Sequence, residues 1–162
     1  MDKETYNQYI FFMRSQIHNY KIQKPFRYRV VLYSPSHRSL VIQVAQLEPT
    51  GMNAIEAWYM NFSPIHVMHI YPFWENVELE LLEYDQAIEY LKQHQIPLDT
   101  PLPRLVFRAL IDDRQILIQC SSVYITDTFP RDPLGVYNYL EDLEPNTSSN
   151  NQENKQTKET NQ

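Results

Sequence analysis

Glycine and cysteine are scarce in this chain. Only two of the 162 residues are glycine, against roughly 7 % in average proteins. No stretch matches a glycine-rich phosphate loop, a dinucleotide-binding turn or a hydrolase nucleophile elbow. The single cysteine, Cys120, excludes an intramolecular disulfide framework and any paired-cysteine metal or redox motif. Several common enzyme classes are therefore excluded.

Long apolar runs are also missing. Charged residues or prolines interrupt every hydrophobic stretch before it reaches the roughly 18–20 residues needed to cross a bilayer. The acidic beginning Met1–Glu4 does not resemble a secretory signal. Because the cysteine is unpaired as well, we expect a cytoplasmic protein without a membrane segment.

Material for a core is plentiful, since 43 % of the residues are hydrophobic and 13 % are aromatic. From Pro145 onward, however, the sequence contains only proline and polar or charged residues. Such a segment buries too little apolar surface to offset the entropy lost on ordering. We therefore expect one globular domain over residues 1–144 and a disordered polar tail over residues 145–162.

The hydrophobic pattern changes its period along the chain. Apolar residues recur at helical spacing over residues 3–21 and 84–94, and Asp132-Pro133 is typical of a third helix start. Phe11 and Phe12 lie beside the first apolar stripe, which suggests that this helix buries a second face. The predicted strands cover residues 28–33, 40–47, 54–62, 65–71, 76–82, 105–111 and 116–125.

The predicted element order is α-β-β-β-β-β-α-β-β-α. Strands that follow one another through short turns pair antiparallel, and the few helices must then cover the sheet. The sequence therefore predicts a single α+β domain. Its sheet is curled and mostly antiparallel, with about seven strands, and its helices are packed on one face.

Charge is divided unevenly within the net charge of −6. Residues 1–49 carry seven Lys or Arg against three Asp or Glu, a net charge of +4, whereas residues 50–144 carry five against fifteen, a net charge of −10. A bipolar domain can offer two faces that select different partners. Alternatively, the two halves pack together and cancel their charges internally.

The residue types that carry chemistry are isolated in the sequence. His66 and His69 are three residues apart in a predicted strand, so they face opposite ways and cannot ligate one metal. Cys120 follows a run of aliphatic residues, where a buried thiol is a poor nucleophile. The acidic run Glu75–Glu89 fits an exposed strand face and a helix N-terminus. We therefore predict no catalytic residue, no metal site and no cofactor.

A group of large aromatic residues is the most informative feature. Pro72-Phe73-Trp74 places two of them in a predicted turn, although loops seldom carry so much apolar area unless it is buried or contacts a partner. The turn either covers the end of the sheet as a plug or belongs to a binding patch. The residues predicted to bind a partner are Trp58, Tyr71, Phe73, Trp74, Arg27 and Arg29.

These observations favour a non-catalytic adaptor or a chaperone-like assembly factor. Such a protein would recognise a peptide or subunit through its aromatic patch and bipolar charge. One alternative is a small enzyme or ligand carrier with a pocket inside the curled sheet, lined by residues chosen among Arg29, His66, His69, Arg108 and Cys120. A further alternative is a nucleic-acid regulator that binds through the basic, aromatic run Pro25–Arg29, but the acidic net charge argues against it.

Overall fold

Two helices and seven strands make up the part of the chain that the computed structural model describes, residues 2–20, 22–98 and 104–129. The elements are α1 (Lys3–His18), β1 (Phe26–Ser34), β2 (Ser39–Leu47), β3 (Ala54–His69), β4 (Phe73–Glu75), β5 (Glu80–Leu81), α2 (Tyr84–Gln93), β6 (Leu105–Ile111) and β7 (Arg114–Thr126). The predicted helix at Asp132 and the predicted tail over residues 145–162 lie outside the described residues.

All seven strands belong to one antiparallel, curled sheet in the order β4-β1-β2-β3-β7-β6-β5. The hairpins β1–β2 and β6–β7 form where the alternation of apolar residues predicts them. Pairing of β7 with β3 places the second hairpin beside the first. The α+β fold with a mostly antiparallel sheet is therefore confirmed. Neither helix in the described residues is long and apolar enough to cross a membrane.

Helix α1 packs against the core of the sheet through one stripe. Asp2 caps the helix by accepting a hydrogen bond of 2.8 Å from the Thr5 backbone N–H, which satisfies one of the free donors at a helix N-terminus. Tyr6, Ile10 and Met13 are buried, as their spacing of three and four residues predicts. Ion pairs from α1 to Glu83 and Asp85, at the start of α2, hold the two helices together.

The hydrophobic core lies between the sheet and these helices. At its centre the rings of Phe62 and Phe107, both fully buried, meet edge to face with 5.2 Å between centroids. Such pairs are more favourable than their buried area alone accounts for. The core therefore joins the first hairpin, which β3 extends, to the second hairpin.

The predicted strands 54–62 and 65–71 form one continuous strand, β3, rather than two. Core positions in β3 alternate as far as Phe62, and the next is Ile65. In the paired strand β7 the corresponding step lies between Cys120 and Val123. Successive residues of a regular strand face opposite sides of the sheet. A step of three between core residues therefore interrupts this alternation, and β3 and β7 are interrupted at the same paired positions.

The region from Pro72 to Leu82 departs most from prediction. Instead of a turn, Phe73–Glu75 forms the edge strand β4, which pairs with β1. The predicted strand over residues 76–82 is reduced to β5, which contains Glu80 and Leu81. The reason is long-range packing, because pairing with β1 buries one side of β4 against the core.

Candidate functional site

The structure divides the predicted aromatic group, and both tryptophans are core residues. Trp58 and Trp74 are only 6 % and 3 % exposed. The Trp74 ring stacks on Tyr28 with 4.9 Å between centroids and an interplanar angle of 2°, and its indole N–H donates to the Val77 carbonyl at 3.0 Å. Neither tryptophan can therefore offer its ring to a partner, and the expected continuous aromatic patch does not form.

The other predicted residues remain at the surface. Phe73 is 62 % exposed on β4 and lies opposite the exposed Arg29 on β1. Arg27 is engaged with Glu75, with 2.9 Å between its Nε and the carboxylate oxygen. Tyr71 is half-buried, and the guanidinium carbon of Arg114 lies over its ring, 5.3 Å from the ring centroid. Phe73 and Arg29 are thus the accessible part of the predicted site.

The basic run Pro25–Arg29 does not present its aromatic rings. Phe26 and Tyr28 are 3 % and 5 % exposed and belong to the core. Nucleic-acid surfaces of this kind need aromatic rings free to stack on bases. The run therefore offers one exposed guanidinium, that of Arg29, and no stacking platform.

The most exposed aromatic residues lie on α1 and were not among the predicted site residues. Phe11 is 78 % exposed and Phe12 is 56 % exposed, so the expected second buried face of this helix is wrong. Their helical neighbours Gln8, Ser15 and Gln16 are polar and exposed. The sequence feature that indicates their exposure is the position of both phenylalanines outside the buried apolar stripe of α1.

A row of serines crosses four adjacent strands. Ser34 on β1 pairs in register with Ser39 on β2, whose hydroxyl lies 3.3 Å from the Ser63 hydroxyl on β3. Ser63 pairs with Ser122 on β7, and the Ser122 hydroxyl donates to the Ser63 carbonyl at 2.6 Å. Directly opposed residues share a sheet face, so this row is one continuous polar strip.

Basic side chains lie beside this strip. His66 follows the step in β3, and its Nε2 is 2.7 Å from the Ser121 hydroxyl. The Arg38 carbonyl accepts a 2.7 Å hydrogen bond from the Ile65 N–H, which places Arg38 next to His66. Arg104 directly precedes Leu105, the register partner of Cys120, and therefore lies near Ser121. Strands β2, β3 and β7, together with the start of β6, thus bring these residues together.

The charged groups that act on His66 among the described residues are cationic. Burial lowers the pKa of His66, and the nearby guanidiniums of Arg104 and Arg38 lower it further. In a serine–histidine catalytic pair a carboxylate stabilises the imidazolium that forms during reaction. Here the guanidiniums of Arg104 and Arg38 disfavour that imidazolium.

The residues considered for an interior pocket are not brought together. Cys120 is fully buried, and burial raises the pKa of its thiol. Arg108 pairs with Glu80 at 3.0 Å, whereas Arg29 and His69 are exposed. Within residues 2–20, 22–98 and 104–129, no group of three His, Cys, Asp or Glu side chains is placed to hold a metal ion.

Two features of the described residues therefore stand out, the exposed phenylalanines of α1 and the basic side chains beside the polar strip, in which Ser34 and Ser39 are buried. The expected charge division is partly neutralised, because three ion pairs join the basic first part of the chain to the acidic middle part. Comparison of the chain with protein-family models, curated proteins and solved structures found no match.

Proposed function

We propose that the protein is a non-catalytic binding module for another protein and that it makes contact through the exposed face of α1. The observation that supports this proposal is the adjacent pair Phe11 and Phe12, 78 % and 56 % exposed. Two such rings in water contribute nothing to the core. At an interface, large aromatic side chains supply much of the binding free energy.

The surroundings of the two rings suit an interface. Gln8, Ser15 and Gln16 form a polar border, and contacts of this kind exclude water from a central apolar pair. The partner is expected to present an apolar recess that accepts two rings side by side. Because Lys3 and Glu4 line a surface recess together with Gln8 and Phe11, we expect both hydrogen bonds and ion pairs at the edge of the contact.

The helix is also held rigidly, which favours binding. The Tyr6 hydroxyl donates to the Leu82 carbonyl at 3.1 Å, and Arg14 donates to the Leu81 carbonyl at 2.8 Å. A surface that is already ordered loses less conformational entropy when it binds. The adaptor or assembly role and the cytoplasmic location stay part of this proposal, and a single buried thiol is compatible with a reducing compartment.

The surface around Phe73 and Arg29 is the competing contact site. It has one exposed ring rather than two, next to a guanidinium. Arginine and aromatic residues are both enriched at interfaces, so the two surfaces must be compared directly. Phe73→Ala therefore serves as the matched control, because it removes the same side chain from the sheet instead of from α1.

The experiment begins with capture from a lysate of the source cells by the tagged chain. The recovered protein is then purified and titrated calorimetrically with three forms of the chain. Compared with wild type, Phe11→Ala/Phe12→Ala is expected to lower the affinity at least about tenfold without lowering the melting temperature, because it removes two interface rings. Phe73→Ala is expected to bind like wild type.

Other outcomes would contradict the proposal in distinguishable ways. Loss of affinity in Phe73→Ala alone would place the contact at the sheet. Concentration-dependent dimerisation of the purified wild type that disappears in Phe11→Ala/Phe12→Ala would make α1 a self-association face. A melting temperature lowered in the double variant would show that the two rings serve folding.

A further inference from the structure

A second surface feature lies where the serine strip meets the basic side chains, far in sequence from the phenylalanines of α1. We call it the serine–arginine cluster. Its members are Arg38, Ser63, His66, Arg104, Ser121 and Ser122. We propose that this cluster binds a tetrahedral oxyanion, namely a phosphate group.

The cluster has the donors that a phosphate requires. Guanidinium groups present several N–H donors in a planar fork that matches phosphate oxygens, and hydroxyl groups supplement them. Arg38 and Ser122 are exposed, and His66, Arg104 and Ser121 are half-buried, so a ligand can reach them from solvent. Among the described residues the buried Nε of Arg104 has no hydrogen-bond partner, so they do not use all the donors of this guanidinium.

Arg38 occupies a backbone position that does not favour arginine. Its φ is +49°, a left-handed conformation in which glycine and asparagine are the usual residues. The hydrogen bond from Ile65 to its carbonyl secures this conformation against β3. The Arg38 side chain is exposed and takes part in none of the ion pairs found among the described residues, so its guanidinium is accessible to a ligand.

The positive charges around His66 favour a negatively charged ligand. Among the described residues, the charged groups that act on its imidazole are the guanidiniums of Arg104 and Arg38. A metal cation would meet repulsion here, whereas an oxyanion would relieve the repulsion among these groups. The hydroxyl of Ser121, 2.7 Å from His66 Nε2, can orient the imidazole toward the same ligand.

The test is a nuclear magnetic resonance titration of the full chain with inorganic phosphate, at an ionic strength kept constant with sodium chloride. Saturable shifts are expected at the amides of Arg38, Ser63, His66 and Ser121. Arg38→Gln is expected to weaken binding about tenfold, as loss of a charge-assisted contact does. The matched control is Arg29→Gln, which removes an exposed guanidinium on β1 outside the cluster and is expected to leave the affinity unchanged.

Sulfate provides a second readout, because it keeps its charge over the pH range in which histidine titrates. The pKa of His66, followed through its ring proton, is expected to rise in sodium sulfate relative to sodium chloride of equal ionic strength, since an oxyanion stabilises imidazolium. An unchanged pKa, or shifts that grow linearly without saturation, would overturn the proposal. Equal weakening by Arg29→Gln and Arg38→Gln would also overturn it, because it would indicate unspecific attraction.

The phosphate could be a free ion or belong to a phosphorylated side chain. Titration with blocked phosphoserine separates these sources. Tighter binding than inorganic phosphate, with the same residues shifted, identifies a phosphorylated segment. Equal or weaker binding identifies the small ion. Both results retain the oxyanion site, whereas failure of both ligands to bind removes it without affecting the proposal for α1.

Discussion

Replacing Trp74 tests whether the aromatic residues around β4 serve the core or a binding surface. In the structure Trp74 is 3 % exposed, stacks on Tyr28 and donates a hydrogen bond to Val77. A binding role would require an exposed ring. We therefore expect Trp74→Ala to destabilise the protein through lost packing, and any effect on partner binding to follow from that loss.

The size of the effect follows from the environment of the ring. Substituting a buried tryptophan by alanine costs about 3–5 kcal/mol. Because β4 has three residues and lies at the edge of the sheet, the surroundings can partly close the space, so we expect a value of about 3 kcal/mol. Trp74→Phe keeps a stacked ring but leaves the Val77 carbonyl without its donor, and should cost about 1–2 kcal/mol.

Urea unfolding followed by far-ultraviolet circular dichroism measures these differences without using tryptophan fluorescence. The control is Phe73→Ala, which changes the neighbouring residue on the exposed side of the same strand. Its free energy of unfolding should stay within about 0.5 kcal/mol of wild type. If Trp74→Ala proved as stable as Phe73→Ala, the packing of β4 against Tyr28 would be refuted.

Further predictions concern ionisable groups. The thiol of Cys120 is buried and burial raises its pKa, so a thiol reagent at pH 8 should modify it only as fast as the protein unfolds, and rapid labelling would contradict its burial. Burial raises the pKa of Tyr28 from 10.0 to about 12. The unfolded chain therefore loses this proton first, and stability should fall by about 1.4 kcal/mol per pH unit from this group between its two pKa values. Urea unfolding of Tyr28→Phe over that pH range should show a correspondingly smaller slope. The hydrogen bonds from Thr5 hold the pKa of Asp2 below its usual value, so Asp2→Ala should lower the melting temperature at pH 7 and lose this effect in acid, where the wild-type carboxyl is protonated.

Local patterns sufficed for the elements whose partners are close in sequence. The helix α2 is recognisable from the helical spacing of its apolar residues. The hairpin β6–β7 is recognisable because turn-forming residues separate two apolar stretches, as at Asp112, whose φ is +53° in the turn. Capping is less certain from sequence. The cap of α2 is Glu83, whose N–H donates to the Gln86 side chain at 3.3 Å, although Ser, Thr, Asp and Asn are the usual residues at this position.

Contacts that depend on the pairing of strands distant in sequence could not be predicted from local patterns. Trp74 lies two residues after Pro72 and resembles a turn residue, and only its pairing with Tyr28 across β1 and β4 makes it a core residue. The serine strip beside the serine–arginine cluster has the same origin. Ser39 and Ser63 are 24 residues apart and meet because β2 and β3 pair in one particular register. A shift of one residue would move them to opposite faces.

The two proposed sites have a physical connection, and its strength limits how far they can influence each other. The Tyr9 hydroxyl on α1 donates to the carbonyl of Ser121, a member of the serine–arginine cluster, at 3.3 Å. A neutral hydrogen bond of this kind contributes about 0.5–1.5 kcal/mol, so making or breaking it could change an affinity by no more than about tenfold. Because coupling between binding sites is reciprocal, sulfate and the protein partner would have to alter each other's affinity by the same factor. Tyr9→Phe removes the hydroxyl donor and keeps the ring, so in this variant sulfate and the protein partner should no longer change each other's affinity, although both still bind. A larger mutual effect that survives in Tyr9→Phe would require a movement of α1 as a whole.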